Sequence, residues 1–364
     1  MNVLHLSSES SWRGGEQQIA YLIGELRTKG INPLVAGRPG SAFEQYCEKE
    51  KFRFFPIAMK NSFDIKSGLQ LNKLCRHLKI DLLHAHSSRS HATAWISYLL
   101  GNPTPIIVSR RVDFPLKNNI LSQHKYNIKS LKKIACVSDA IRNIVQPKLR
   151  YPENCITIHS GIDHQKFEGF QGSNYLRTTY GINEDITIIG NSSAIAPHKD
   201  YFTFVDTARH MVENISKKVH FFIIGKGPLE NEIRAYITQS KMDEYITMTG
   251  FLQNINEVLP SLDIFFISSE TEGLGTSIID AFASKVPVVA TAAGGIPELV
   301  KHEQTGLLAP VRDTEMLATL INKMILDKEL RNNMIENAWN LSLEFSKKAM
   351  AENYYRLYNE ILNK

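Results

Sequence analysis

The chain has 364 residues, 43% hydrophobic and 22% charged, which excludes a disordered or low-complexity polymer and leaves room for two domains. No apolar run reaches the roughly 18–20 residues that cross a bilayer, and Cys47, Cys75, Cys136 and Cys155 form no Cys-x-x-Cys pair, which argues against a zinc ribbon or a disulfide framework. The net charge of +5 is uneven, since residues 1–164 hold 23 Lys and Arg against 12 Asp and Glu while 165–364 hold 19 against 25, and a basic first half points to an anionic partner such as phosphates, a lipid surface or nucleic acid.

The opening residues carry no basic leader followed by an apolar core, so the reading is a cytoplasmic chain with reduced thiols. "NVLHLS" is the first predicted strand. Glu16 to Lys29 follows as a helix with Ile19, Leu22, Ile23 and Leu26 on one face, stopped by Gly30. "NPLVAGR", "RFFPI", "DLLHAHS", "PIIVSRR" and "KIACVS" are further strands, with helical patterns such as Gly68–Leu78 and Ala92–Leu100 between them. Residues 109–133 read as a basic amphipathic helix with Phe114, Leu116, Ile120, Leu121 and Tyr126 interleaved, suited to a membrane surface or an anionic acceptor; Lys132 and Lys133 belong to it. A polar, glycine-containing linker begins at Glu168, and the pattern restarts with "ITIIGNSS", "HFFIIGKG", "YITMTGF", "DIFFISS", "VPVVAT" and "GLLAP". The tail from Thr314 is helical. The expected architecture is α/β: two doubly wound parallel-sheet domains, residues 1–168 and 169–345, facing a cleft, with 346–364 a helix packing back on the first.

In such sheets ligands sit at the carboxyl ends of strands, where helix N-termini point. The richest stretch is residues 268–300. The strand ends in Ser268-Ser269, a loop carries Glu270 and Glu272, and Gly273 and Gly275 precede a helix opening at Thr276-Ser277. Glycines ahead of a helix N-terminus let a backbone approach an anion such as a pyrophosphate, and Glu272 and Asp280 suit sugar or ribose hydroxyls. Lys199 follows the strand at 186–190 and suits a phosphate. Arg110 and Arg111 end a strand and are read as grips for an acceptor's phosphate or carboxylate. His84 and His86 are read as facing opposite sides of their strand, with His86, nearer the carboxyl end, the functional one. No metal ligand set is expected: no His-x3-His or acidic cluster accompanies them, and Asp243-Glu244 is a poor nucleotide-metal pair.

Glu272-Gly273-Leu274-Gly275 followed by Asp280 resembles the signature of retaining glycosyltransferases of family four, which have the GT-B fold of two Rossmann-like domains. The family pattern is Glu-Gly-Phe-Gly with a second acid eight positions after the first; here Leu replaces Phe and Asp replaces Glu. The resemblance continues through "VPVVATAAGGIPELV" and "TGLLAP" and covers nearly the whole chain. It implies that Gly14 and Gly15 lie beside the donor's phosphates, that His86 faces the reaction centre, and that the backbone of Gly250, Phe251 and Leu252 borders the nucleotide base. Ser193, Lys199, Leu274, Gly275, Thr276, Ser277 and Asp280 complete the implied donor site, with Glu272, His86 and Lys199 the catalytic set. The family commonly has an Arg five positions before the Lys; that position is Ala194, with His198, Ser192 or Ser193 as partial substitutes. The implied enzyme is a metal-independent, retaining glycosyltransferase with no cofactor besides its UDP- or GDP-sugar donor. Its acceptor would be a glycan or lipid-linked saccharide in cell-envelope polysaccharide or lipopolysaccharide synthesis, at the inner face of the cytoplasmic membrane and without nucleic acid. The alternatives are a sugar-nucleotide epimerase or phosphorylase of the same architecture, which would not share the Glu-Gly-Leu-Gly stretch, and a nicotinamide-dependent oxidoreductase, for which "SSESSWRGGE" is a poor Gly-x-Gly-x-x-Gly.

Overall fold

Apolar runs of three to six residues are too short for helices and too apolar to face water, so they pair with one another between layers of helix. The computed structural model describes residues 1–116 and 118–363, and in it these runs form two parallel sheets. The first comprises β1 (Asn2–Ser7), β2 (Asn32–Gly37), β3 (Arg53–Pro56), β4 (Leu82–Ala85), β5 (Ile106–Arg110), β6 (Leu131–Cys136) and β7 (Cys155–Thr157), in the order β3-β2-β1-β4-β5-β6-β7. The second comprises β8 (Thr187–Ser192), β9 (Val219–Ile224), β10 (Ile246–Gly250), β11 (Ile264–Ile267), β12 (Val288–Thr291) and β13 (Leu307–Ala309), in the order β10-β9-β8-β11-β12-β13. Each sheet grows outward from its first strand and then resumes on that strand's other side. The loops after β1 and β4, and after β8 and β11, therefore diverge and leave a crevice at the strand ends.

The chain divides into two units. One is Met1–Gly161 with Lys347–Lys364; the other is Ile162–Ser346. The change comes before the expected boundary at 168, because the turn His164–Phe167 is held by the second unit: Phe167 is buried and His164 Nε2 lies 3.0 Å from Ser342 Oγ. In the first unit the helix Lys347–Leu362 lays Met350, Ala351, Tyr354, Leu357 and Tyr358, a stripe at helical spacing, against Val3, Leu22, Leu26, Leu82 and Ile107. In the second, Phe204 of the helix Tyr201–Asn214 stacks on Phe266 of β11, ring centroids 4.9 Å apart, within a core that reaches Leu317 and Ile321.

The structure corrects two expectations. The basic stretch 109–133 is helical only over Ile120–Tyr126; Lys132 and Lys133 lie on β6, whose apolar run must pair between β5 and β7. Lys117 of that stretch lies outside the described residues. Helices begin earlier than their apolar periodicity indicates, because capping side chains set their starts: Asp64 accepts from Ser67 N–H at Ile65–Leu78, and Ser87 forms a capping box with Ser90 at Ser88–Leu99. The structure also adds an edge strand, β7, across which the free thiols of Cys136 and Cys155 meet with sulfurs 3.6 Å apart. No described helix is long and apolar enough to cross a membrane.

Candidate active site

In the second unit the switch point lies between β8 and β11, and the loops leaving these strands carry Lys199 and Glu272. Lys199 Nζ donates to Glu272 Oε2 across 2.5 Å, and the two side chains keep 10% and 13% of their exposure. The pair is fixed from several sides. Ser268 Oγ, at the end of β11, donates to the carbonyls of Asp200 and Lys199 at 2.9 and 3.2 Å. Ser269 Oγ donates to Glu272 Oε2 at 3.3 Å, and Glu270 N–H donates to the His198 carbonyl at 2.9 Å. Gly294 closes the loop from behind: its φ is +52°, and a Cβ there would stand 2.1 Å from the Glu272 carbonyl oxygen. Gly295 N–H donates to that same carbonyl at 2.9 Å.

Beside the pair the helix Thr276–Ala283 begins at Gly275, φ +91°, and no side chain caps it. Uncapped amide groups at a helix start, next to a lysine, form an anion cradle. Leu274 is buried, so that segment presents backbone rather than its side chain to the crevice. Asp280 sits one turn into the helix, its carboxyl pushed up to about 6 by burial, with Lys166 acting in the opposite direction. Gly250 ends β10, on the far side of β9 from β8; its carbonyl accepts from Gly225 N–H at 2.9 Å, and Phe251 beyond it is 68% exposed beside half-buried Leu252. Ala194 is exposed, while Ser193 Oγ is engaged 2.9 Å from the buried Tyr201 hydroxyl.

In the first unit the switch point lies between β1 and β4, and the structure overturns the reading of its histidines. Residues two apart on a strand share a face, and the rings of His84 and His86 stand with centroids 3.9 Å apart. His5 of β1, which the sequence reading did not single out, joins them: its Nδ1 is 3.0 Å from His86 Nε2. The pairing of β1 with β4 sets His5 beside His84 and so on the same face of the sheet, a register that no short spacing in the sequence encodes. Arg111 turns inward, with Nη2 3.4 Å from His86 Nδ1. A guanidinium only donates, so His86 Nδ1 accepts, its Nε2–H donates to His5 Nδ1, and the His5 proton sits on Nε2, a buried atom without a partner. His84 lies between the Tyr358 hydroxyl at 2.6 Å and Ser109 Oγ at 2.8 Å. Burial holds all three rings neutral, His5 down to about 3 and His84 and His86 well below the ordinary value.

The ligand atoms of His5, His84 and His86 lie within 4.8 Å of one another, close enough for a metal ion. The surrounding chemistry opposes one: the half-buried Arg111 guanidinium already stands on His86, and Tyr358 and Ser109 take both His84 nitrogens. Glu16, at the start of the helix Gly14–Thr28, accepts from Ser7 Oγ at 3.0 Å, and burial raises its pKa while Arg111 acts to lower it. A Cβ on Gly14 or Gly15 would meet nothing, so no protein contact demands glycine at either position. Arg110 donates from Nη1 to the Tyr126 hydroxyl at 3.2 Å and from Nη2 to the Phe114 carbonyl.

Two Rossmann-like units, one bearing a lysine–carboxylate pair beside an uncapped helix start, define a GT-B glycosyltransferase. Models of glycosyltransferase family 4 and of glycosyl transferases group 1 match residues 12–166 and 173–340, and the chain belongs to this glycosyltransferase family. It is similar to the N-acetyl-alpha-D-glucosaminyl L-malate synthase of Bacillus anthracis, 24% identical over 82% of this chain and 80% of that one. It is also similar to the UDP-Gal:alpha-D-GlcNAc-diphosphoundecaprenol alpha-1,3-galactosyltransferase of Escherichia coli, 25% identical over 85% of each. Its fold is that of Anabaena HepE, solved in complex with UDP-glucose, with a TM-score of 0.87 at 18% identity over 99% of this chain and 100% of that one.

Proposed function

We propose that this glycosyltransferase is retaining, that its second unit holds a nucleoside diphosphate sugar at the β8–β11 switch point and that its first unit holds the acceptor. The Lys199–Glu272 contact carries the reading. A lysine held this close to a carboxylate, with amide groups of the Thr276 helix alongside, is prepared for an incoming diphosphate: the phosphates take over the ammonium, and Glu272 is released to sugar hydroxyls.

As the bond from the anomeric carbon to the diphosphate breaks, negative charge grows on the departing oxygen, and Lys199 with the helix amides stabilises it. The acceptor oxygen bonds to the anomeric carbon on the face the diphosphate leaves, and its proton passes to the departing phosphate oxygen. Asp280 accepts from a ribose hydroxyl, and in the first unit Gly14 and Gly15, open on their Cβ sides, leave the helix start clear for the close approach of a ligand. His86 is presented by the first unit as a neutral ring whose tautomer is set by Arg111 and His5. No metal or other cofactor takes part.

HepE was solved with UDP-glucose, and the E. coli relative is named for a UDP-galactose donor and a diphosphoundecaprenol acceptor. These favour a UDP-sugar and a lipid-linked acceptor, with work at the inner membrane face in building cell-envelope polysaccharide or lipopolysaccharide. Released nucleotide measured over UDP-, GDP- and ADP-sugars tests the reading. Turnover of one donor that falls at least 100-fold in Glu272→Gln is expected; no turnover of any, or full turnover by that variant, rejects it.

A further inference from the structure

At the carboxyl ends of β4 and β5, one residue from the Arg111–His86 contact, a cavity of about 440 Å³ opens in the first unit. That size lies within the roughly 300–1,000 Å³ over which proteins enclose small ligands. Phe63, Trp95, Phe114 and Leu121 form much of its wall. The apolar surface does not stop at the rim: Phe63 and Phe114 are 64% and 67% exposed, and Val112 and Ile120 beside them are exposed too. Side chains of this kind in water need a partner. Two cations, Arg110 and Lys125, line the same cavity, and no carboxylate is among its described lining residues. Lys125 is pushed down to about 8 by burial, with Arg110 adding to the effect, the behaviour of an ammonium lacking a counter-ion. Arg110 Nε is buried and without a partner, and the adjoining His91 is buried edge-on to Tyr126 of the cavity wall.

A free saccharide would bring no negative charge to the cations and would leave the hydrocarbon wall wet. A lipid diphosphate satisfies both. Resting on the glycosyltransferase reading above, we propose that this cavity is the acceptor's lipid subsite, in which the first units of an isoprenoid chain lie against Trp95, Phe114 and Leu121 while the attached diphosphate meets Arg110 and Lys125. The saccharide beyond the diphosphate then extends from the strand ends toward His86.

Calorimetric titration of the whole protein with farnesyl diphosphate, inorganic diphosphate and UDP tests this. Farnesyl diphosphate is expected to bind at least tenfold more tightly than inorganic diphosphate. Ser122→Trp, which fills the cavity from the half-buried helix Ile120–Tyr126, reduces that preference below threefold. Phe114→Ser, at an exposed site that does not endanger folding, weakens farnesyl diphosphate about fivefold and leaves inorganic diphosphate unchanged. Arg110→Gln weakens both. Equal binding of the two diphosphates by the wild type, or a preference that survives both Ser122→Trp and Phe114→Ser, overturns the proposal. So does a result in which these variants lose only their hold on phosphatidylglycerol vesicles, which makes the surface a bilayer contact. Wild type that binds UDP without a farnesyl preference overturns the lipid subsite alone; wild type that binds neither overturns the donor reading as well.

Discussion

Lys199 Nζ and Glu272 Oε2, 73 residues apart in the chain, stand 2.5 Å apart where the loops leaving β8 and β11 meet. Each is the other's counter-ion in the unliganded site, and the pair is largely removed from water. Removing one member of such a pair strands a buried charge, at a cost of about 3–5 kcal/mol, whereas removing both does not. Lys199→Met and Glu272→Gln are each expected to lower kcat/KM at least 100-fold. The double variant should be no slower than the worse single variant and more stable than Lys199→Met. A double-mutant cycle in activity and in denaturant midpoint checks this; additive losses in both contradict it.

The glycines separate a structural demand from a ligand's. A Cβ at Gly294 would strike the Glu272 carbonyl, so Gly294→Ala should displace the loop and lower kcat/KM about 50-fold or more. At Gly15, inside a helix and open on its Cβ side, alanine should stabilise the fold by about 0.4–1 kcal/mol. If phosphates approach there, Gly15→Ala also raises the donor KM. Melting temperatures and donor titrations on the two variants decide; an unchanged donor KM in Gly15→Ala removes that glycine from the donor site.

Asp280 supplies a pH dependence. Its carboxyl titrates near 6, above the ordinary value, so it ionises only as pH rises through that point. If Asp280 holds a ribose hydroxyl as proposed, its ionised form is the stronger acceptor. Donor KM is therefore expected to rise as pH falls from 7 to 5, and Asp280→Asn should show a high KM that is flat over the same range. A wild-type KM that does not change between pH 7 and 5 contradicts the assignment.

The histidine cluster predicts a stability profile of opposite cause. His5, His84 and His86 resist protonation when folded, but in the unfolded chain they take up protons below about 6.5. Their contribution is fully present above 6.5 and is lost as pH falls toward the folded values, by up to about 1.4 kcal/mol per pH unit for each ring. His91, His164 and His220 act in the same direction, and Asp280 and Glu16 act the other way, so these groups together lower the midpoint on acidification. Denaturant midpoints from pH 7 to 5 check it, and His5→Leu should remove about one proton from the slope. A midpoint that rises on acidification contradicts the account.

Much of this was legible in the chain because strand-end chemistry is local. A strand ending in Ser268-Ser269, then Glu272, Gly275 and a helix, identifies its own position in a parallel sheet, and Lys199 follows β8 for the same reason. Long-range partners were less visible. That Glu272 would be held by the Gly294-Gly295 backbone depends on how β12's loop folds over β11's, which no short spacing encodes. Arg111, read as an acceptor grip, turns to His86, and the helix beginning at Gly14 brings Glu16 near enough to act on its charge. The basic stretch after Arg110 looked helical because its apolar residues recur at helical intervals, but the pairing demand of β6 takes its last third.

The most direct test of the central claim is the binding of UDP to wild type and to Lys199→Met by calorimetry at pH 7.5, with folding verified by an unchanged circular dichroism spectrum. The account predicts that wild type binds and that Lys199→Met loses at least tenfold in affinity. Equal UDP affinity in the two proteins would show that the diphosphate does not sit at the Lys199–Glu272 contact.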